Sequence, residues 1–315
     1  MLKDELTIFI SSCDKNMDLL PLFFNVLEKQ WEGAKGLKII VNTEKEIFSY
    51  KDFDIECPCV CKGMDEKEIF AYPWSTRFLE TIKSVRTKYM MFLLDDFFLV
   101  QNVDEKKLAE MMDEIRSIKK FGAVYLCPNL PLFPTDEIRG KKYLRKVGDY
   151  SDYKAQLIPA IWETTAITDL IKRGQGIWAA EISMRDRSYI KKYKFFSQEE
   201  FCHDYTPEFQ KPLKENKVFY FDFKMQIVKG KWSKRFIPFF DMLGIRVDYS
   251  KRGLIDYDGT EKERVESTMA LMSDLYKKGR KKLDRYQWRH NYFIPMLSKI
   301  KWKIKGWFKK NPKKG

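Results

Sequence analysis

The sequence predicts an α/β fold built on a largely parallel sheet, and three observations predict it. The run Tyr89-Met90-Met91-Phe92-Leu93-Leu94 has no polar position over its last five residues. Such a strand is buried on both faces, as in a parallel sheet. It ends in two adjacent carboxylates, Asp95 and Asp96, and ligands of open α/β sheets bind just past the carboxyl ends of strands. The N-terminus reads strand, loop, helix, strand, which is the order of a mononucleotide-binding half.

Leu6 to Ser11 is the first strand, and the polar loop Ser12-Cys13-Asp14-Lys15-Asn16 follows it. Met17 to Trp31 carries Leu19, Leu20, Phe23, Phe24, Val26 and Leu27 at helical spacing. Leu37 to Val41 is a second strand. Trp74-Ser75-Thr76-Arg77 opens a helix with Ser75 as N-cap and an apolar stripe of Phe78, Ile82 and Val85. The carboxylate strand comes next, then a helix over 108–119 and a strand over 122–126. Residues 128–160 are rich in Pro and Tyr and read as irregular. A short helix runs from Thr165 to Arg173 and stops at Gly174. Val218 to Val228 is a strand-like run that leads into Lys229-Gly230-Lys231-Trp232.

Composition narrows the function. The chain has 315 residues, 44% of them hydrophobic and 15% aromatic, enough for one large α/β domain with additions and against global disorder. Neither G-x-G-x-x-G nor G-x-x-x-x-G-K-[ST] occurs, which disfavours a dinucleotide cofactor and a P-loop NTPase. The N-terminal MLKDELTIFI is acidic and lacks a signal-peptide pattern, and no uncharged apolar run reaches the ~20 residues of a membrane span. The expected location is the cytoplasm. Cys57, Cys59 and Cys61 alternate along a segment read as extended, share a face and do not have zinc spacing. They read as buried free thiols.

The net charge of +14 is a property of the tail, because residues 277–315 hold 15 Lys and Arg against Asp284 alone. The neutral body disfavours a nucleic-acid-binding protein and nucleic acid as a partner. From Phe293 on, Leu297, Ile300, Ile304, Trp307 and Phe308 recur at helical spacing among lysines. This is the composition of an interfacial helix that binds an anionic membrane surface; the competing reading packs the stripe on the domain. With a membrane-bound acceptor, the protein is expected to be peripheral on the inner face of the membrane.

Over roughly residues 5–185 the chain resembles GT-A-fold glycosyltransferases of the family 2 type, as found in bacterial surface-polysaccharide assembly. The matching stretches are Leu6 to Asn16, Leu37 to Val41, the helix with Arg77, Met90 to Asp96, Gln156 to Trp162 and Trp178-Ala179-Ala180-Glu181. Two positions depart from the family: Asp95-Asp96 is followed by Phe97-Phe98 where D-x-D is usual, and the acceptor-side Glu-Asp pair is here Glu181-Ile182. The resemblance implies a Rossmann-type mixed sheet flanked by helices, to which the composition adds the basic helical tail. The expected organisation is a catalytic domain over 1–240 (donor half to about 127, acceptor half from about 128), a helical extension over 241–290 and the tail over 291–315. It implies a nucleotide-sugar donor, a glycan or lipid-linked saccharide acceptor, and Mg²⁺ or Mn²⁺ as cofactor.

Chemistry assigns roles within that frame. A departing nucleoside diphosphate needs positive charge, most simply a divalent cation held by one or two carboxylates. Asp96 is the expected metal ligand, and Asp95 contacts the nucleoside or orients the loop; the competing reading makes both a strand-end pair bonded to backbone. An acceptor hydroxyl needs a base. Glu181 lies among Ile177, Trp178, Ala179, Ala180 and Ile182, where desolvation raises a carboxyl pKa; pairing with Arg185 on a helix surface is the alternative. Ser11, Asp14 and Asn16 are expected at the nucleotide, with a solvated turn as the alternative for Asp14 and Asn16, and Arg77 either reaches it or lies along the surface. Trp162 and Trp178 are expected as sugar-stacking platforms, or else as core. Lys229 and Lys231 either close over phosphates or form an exposed turn. A non-catalytic sugar-nucleotide or glycan-binding module remains the nearest alternative function.

Overall fold

The computed structural model of this chain describes residues 2–127, 135–148, 154–191, 193–198, 206–222, 226–228 and 230–256. The expected tail over 291–315, the rest of the expected extension beyond residue 256, and Lys229 lie outside the described residues.

The elements run in the order β1 (Leu6–Ser11), α1 (Leu20–Gln30), β2 (Ile39–Asn42), β3 (Ile55–Glu56), α2 (Glu66–Ala71), α3 (Trp74–Thr81) and β4 (Tyr89–Leu94). There follow α4 (Glu105–Arg116), β5 (Phe121–Tyr125), β6 (Thr135–Glu137), β7 (Arg145–Val147), β8 (Ala160–Glu163), α5 (Thr164–Leu170) and α6 (Ile177–Lys191). The chain ends its described part with β9 (Lys194–Ser197), β10 (Ile227–Val228), β11 (Lys231–Ser233), α7 (Ile237–Met242) and β12 (Leu254–Ile255).

Nine strands form one α/β sheet in the order β3-β2-β1-β4-β8-β5-β9-β7-β6. The half on the β3 side is parallel through β4. Strand β8 inserts antiparallel between β4 and β5, and β9 is again parallel to β5. The sheet is therefore mixed. Strands β1, β4, β5 and β9 all end at one edge, where β8 begins. The all-apolar pattern of β4 follows from this position: all of its residues are buried except Leu94, which is partly so. On one face of the β1–β4 ladder, Phe9 and Phe92 pack on Phe78 of α3.

Helix starts follow local chemistry. Pro21 stands in the first turn of α1, where its missing N–H costs nothing. Asp65 and Glu68 form a reciprocal capping box on α2, and Asp104 caps α4 through the amides of Lys106 and Lys107. A small sheet, β10-β11-β12, lies against the main body, where Trp232 packs on Phe98 and Phe240. The expected boundary at residue 240 falls inside α7, and β12 pairs parallel to β11.

Local expectations change in four places, the first at α3, where the N-cap is Pro73 and Ser75 lies inside the helix. Residues 135–147 contain the edge hairpin β6-β7 where irregular chain is expected. Among the described residues of the run 218–228, Ile227 and Val228 form a strand; Val218 to Phe221 are buried without regular pairing beyond one bridge from Phe221 to Leu99. The Cys57–Cys61 segment is not extended, since Cys59 takes φ 49° and the chain turns there. Its three thiols are free; Cys59 and Cys61 are buried, whereas Cys57, expected to be buried like them, is only partly so.

Candidate functional site

Strand register builds the site. Ser11 of β1 lies opposite Leu94 of β4, so the next residues of both strands emerge side by side. Asp95 N–H donates to Ser11 O at 3.3 Å, and Ser12 Oγ donates to Asp95 Oδ2 at 2.6 Å. This is the point where strand order reverses, with β2 on one side of β1 and β4 on the other. A crevice opens at such a point in α/β sheets.

Asp95 is buried and Asp96 partly so. Burial pushes the Asp95 carboxyl up to about 6, against the opposing pull of its hydrogen bonds from Ser12 and Asn16. Burial, and then the neighbouring Asp95 charge, push Asp96 up to about 7. Two carboxyls that resist ionisation at a strand end mark a functional candidate. Their oxygen donors fit a hard cation that completes its shell with ligand oxygens and water. No larger group of metal-ligating side chains occurs among the described residues.

The loop after β1 is locked from three sides. Asp14 accepts the backbone N–H of Glu44 at 2.9 Å, of Lys45 at 3.1 Å and of Glu46 at 3.3 Å. Its own N–H donates to Glu44 Oε2 at 2.5 Å. The Asp14 carboxylate thus ties the β1 and β2 loops together, a role that the expected nucleotide contact does not include. Arg77 is buried, so the surface alternative is corrected: Nη2 donates to Ser12 O at 3.2 Å, and the guanidinium pairs with Glu44. Burial is the main influence on its pKa, downward. Arg77 supports the loop from below. Ser11 Oγ accepts from Trp74 Nε1 at 3.1 Å, joining β1 to the start of α3.

Glu181 comes from the other half of the sheet. Its Oε1 accepts the N–H of Leu157 at 3.0 Å. Leu157 precedes Ala160, the register partner of Phe92 in β4 and of Tyr125 in β5. Glu181 therefore stands at the edge where β4 and β5 end, which is also the edge of Asp95 and Asp96. Helix α6 is fixed there because Ser75 and Gln175 exchange hydrogen bonds, Ser75 N–H to Gln175 O at 2.9 Å and Gln175 N–H to Ser75 Oγ at 2.8 Å. Trp178, in the first turn of α6, is 49% exposed.

Trp162 is corrected from acceptor platform to core. It is fully buried in β8 and packs edge-on against Tyr125 and Phe195. The ring has no exposed surface, so no sugar can reach its face. Lys231 is exposed at the start of β11, on the opposite side of that strand from buried Trp232.

Three site residues have no sequence signal. Ser12 is one loop serine among several. Asp18 and Arg252 are 234 positions apart, yet Arg252 Nε donates to Asp18 Oδ2 at 2.7 Å and Nη2 to Asn16 Oδ1 at 3.1 Å. Asn16 is thereby tied to a residue that only tertiary folding supplies.

No protein-family model matches this chain, and no curated protein sequence matches it. Its fold is similar to that of S. aureus TarS (TM-score 0.43, 10% identity, covering 79% of this chain and 41% of that chain). A structure of TarS in complex with UDP-GlcNAc is similar at TM-score 0.41 and 10% identity, over 63% of this chain and 60% of that one. UDP-glucose pyrophosphorylase complexed with UDP-glucose is similar at TM-score 0.39 and 8% identity, over 62% of this chain and 91% of that one. This chain spans about two fifths of the first TarS structure. Likeness at this level decides nothing about chemistry, which rests on the strand-end groups.

Proposed function

We propose that this protein is a glycosyltransferase that moves a sugar from a nucleotide-sugar donor to a glycan or lipid-linked saccharide acceptor, with inversion. One observation carries the reading: a carboxylate pair ends β4 at the reversal of strand order, and Glu181 stands at the same edge from the other half of the sheet.

In this reaction the bond from the sugar C1 to the diphosphate oxygen breaks, and its electron pair leaves with the diphosphate. The acceptor oxygen forms the new bond to C1, and its proton passes to the Glu181 carboxylate. The β1 loop, held by Arg77, Asp14 and Ser12, presents a rigid rim for the nucleotide beside Asp95. Asp96, with Asp95 behind it, is the residue that would hold Mg²⁺ or Mn²⁺, and the bound cation would neutralise charge on the diphosphate. Trp178, exposed and three residues before Glu181 on α6, offers a stacking face to the acceptor sugar. The basic tail composition supports a membrane-bound acceptor.

The test screens UDP-, GDP-, dTDP- and CMP-sugars by thermal shift with and without Mn²⁺, then measures turnover of any that binds. The expected result is Mn²⁺-dependent stabilisation and hydrolysis or transfer, both lost in Asp96→Asn with the fold intact. Binding without turnover on any acceptor makes the protein a sugar-nucleotide-binding module. Full activity of Asp96→Asn removes the metal role.

A further inference from the structure

A diphosphate entering beside two acids needs a cation that is already aimed. Two guanidinium groups lie within electrostatic reach of Asp95: Arg77 and Arg252. Arg77 is buried and engaged with Glu44 and the Ser12 carbonyl. Arg252 is placed differently. Its side chain is 14% exposed, and its Nε and Nη2 form a fork on the two Asp18 oxygens, at 2.7 Å and 2.5 Å. Nη2 also donates to Asn16. The Nη1 edge makes no hydrogen bond among the described residues.

The backbone holds this geometry. Gly253, next in the chain, adopts φ 70°, a conformation that side-chain-bearing residues avoid. Its N–H donates to Tyr249 O at 2.7 Å and its carbonyl accepts from Trp232 N–H at 3.0 Å. The turn and β12 thus fasten Arg252 to the small sheet, which is itself packed on Phe98, two residues past Asp96. A bidentate guanidinium with one edge occupied by a carboxylate loses little further freedom when its other edge binds an anion.

We propose that Arg252 is the phosphate-binding residue of this site, taking the β-phosphate of the nucleoside diphosphate on its Nη1 edge, with Asp18 as the residue that orients it. The inference rests on the nucleotide-sugar reading and deepens it: the segment around residue 252 completes a site whose other residues lie before residue 182. The arginine meets the oxygens that receive the electron pair when the sugar departs, so it favours the leaving group as well as the bound donor.

Full-length wild type, Arg252→Gln and Asp18→Asn are titrated calorimetrically with UDP, UMP, GDP, GMP, dTDP and dTMP, with Mn²⁺ present. For whichever nucleoside binds, Arg252→Gln weakens the diphosphate about tenfold or more, the scale of one hydrogen-bonded charge, and leaves the monophosphate little changed. Asp18→Asn weakens the diphosphate by a smaller factor, because the guanidinium is loosened but kept. Equal losses for diphosphate and monophosphate, or none, overturn the role of Arg252. Should Arg252→Gln not fold, Arg252→Lys serves instead: it keeps the charge without the fork, and unchanged diphosphate affinity in it overturns the proposal. If wild type binds none of the six nucleotides, the nucleoside-diphosphate-sugar donor fails first and this inference fails with it.

Discussion

Replacing Asp95 by Asn should make the protein more stable at high pH and inactive. In the folded chain the Asp95 carboxyl is pushed up to about 6 from 3.8, chiefly by burial. Between those two values the folded state binds more protons than the unfolded state, so stability falls as pH rises through this window and stays reduced above it. A shift of about two units at ~1.4 kcal/mol each amounts to ~3 kcal/mol of destabilisation above pH 7. Asparagine keeps an acceptor for the Ser12 hydroxyl but fits the Asn16 contact less well, a loss of ~1 kcal/mol. Removing the Asp95 charge also relieves Asp96, whose carboxyl it helps to push up. The variant should therefore gain ~2 kcal/mol over wild type at pH 8, and the gain should vanish or reverse near pH 4. Urea unfolding of both proteins at pH 8 and pH 4 measures this, and the difference between the two pH values cancels effects that do not titrate. A loss of stability at pH 8, or the same change at both pH values, would refute the idea that this carboxylate is held at the strand end against stability.

Glu181→Gln keeps the hydrogen bond from Leu157 but cannot take a proton; kcat should drop by ~10²-fold or more with donor affinity unchanged, and a normal kcat in steady-state assays sinks the assignment. Deleting residues 291–315 removes 8 lysines and the apolar stripe. With ~1 kcal/mol of anionic-lipid attraction per basic residue near the surface, the truncated protein should stop co-sedimenting with anionic vesicles while still binding nucleotide, and a full-length protein that ignores such vesicles at physiological salt removes the membrane role.

Leu6–Ser11, Ile39–Asn42 and Tyr89–Leu94 are legible from the chain because strands buried on both faces are mostly apolar, with Thr7 the one polar residue inside them. The amphipathic helices α1 and α4 are legible for a similar reason, since one face meets the sheet and the other water. Strand β8 and helix α6 are not. Ala160–Glu163 is too short to show a period, and α6 places apolar side chains around much of its girth, so neither periodicity nor a stripe marks it. Trp162 shows the same limit for a single residue: burial depends on the strands at its sides, and a tryptophan before an acid looks the same whether it is core or platform.

By itself the sequence determined that an apolar strand ends in two acids, that neither glycine-rich phosphate-binding motif occurs, and that the charge belongs to the tail. These properties are local: they depend on neighbours within one element. Tertiary structure alone decided that Ser12 holds Asp95, that Arg77 and Asp14 serve the loop, that Glu181 stands at the edge of the Asp95–Asp96 pair, and that Arg252 crosses 234 positions to meet Asp18. Hydrogen bonds and ion pairs act over a few ångströms of space without regard to chain separation. Partners so far apart leave no pattern in one sequence, and only the register of β1, β4 and β8 and the packing of the small sheet bring them together.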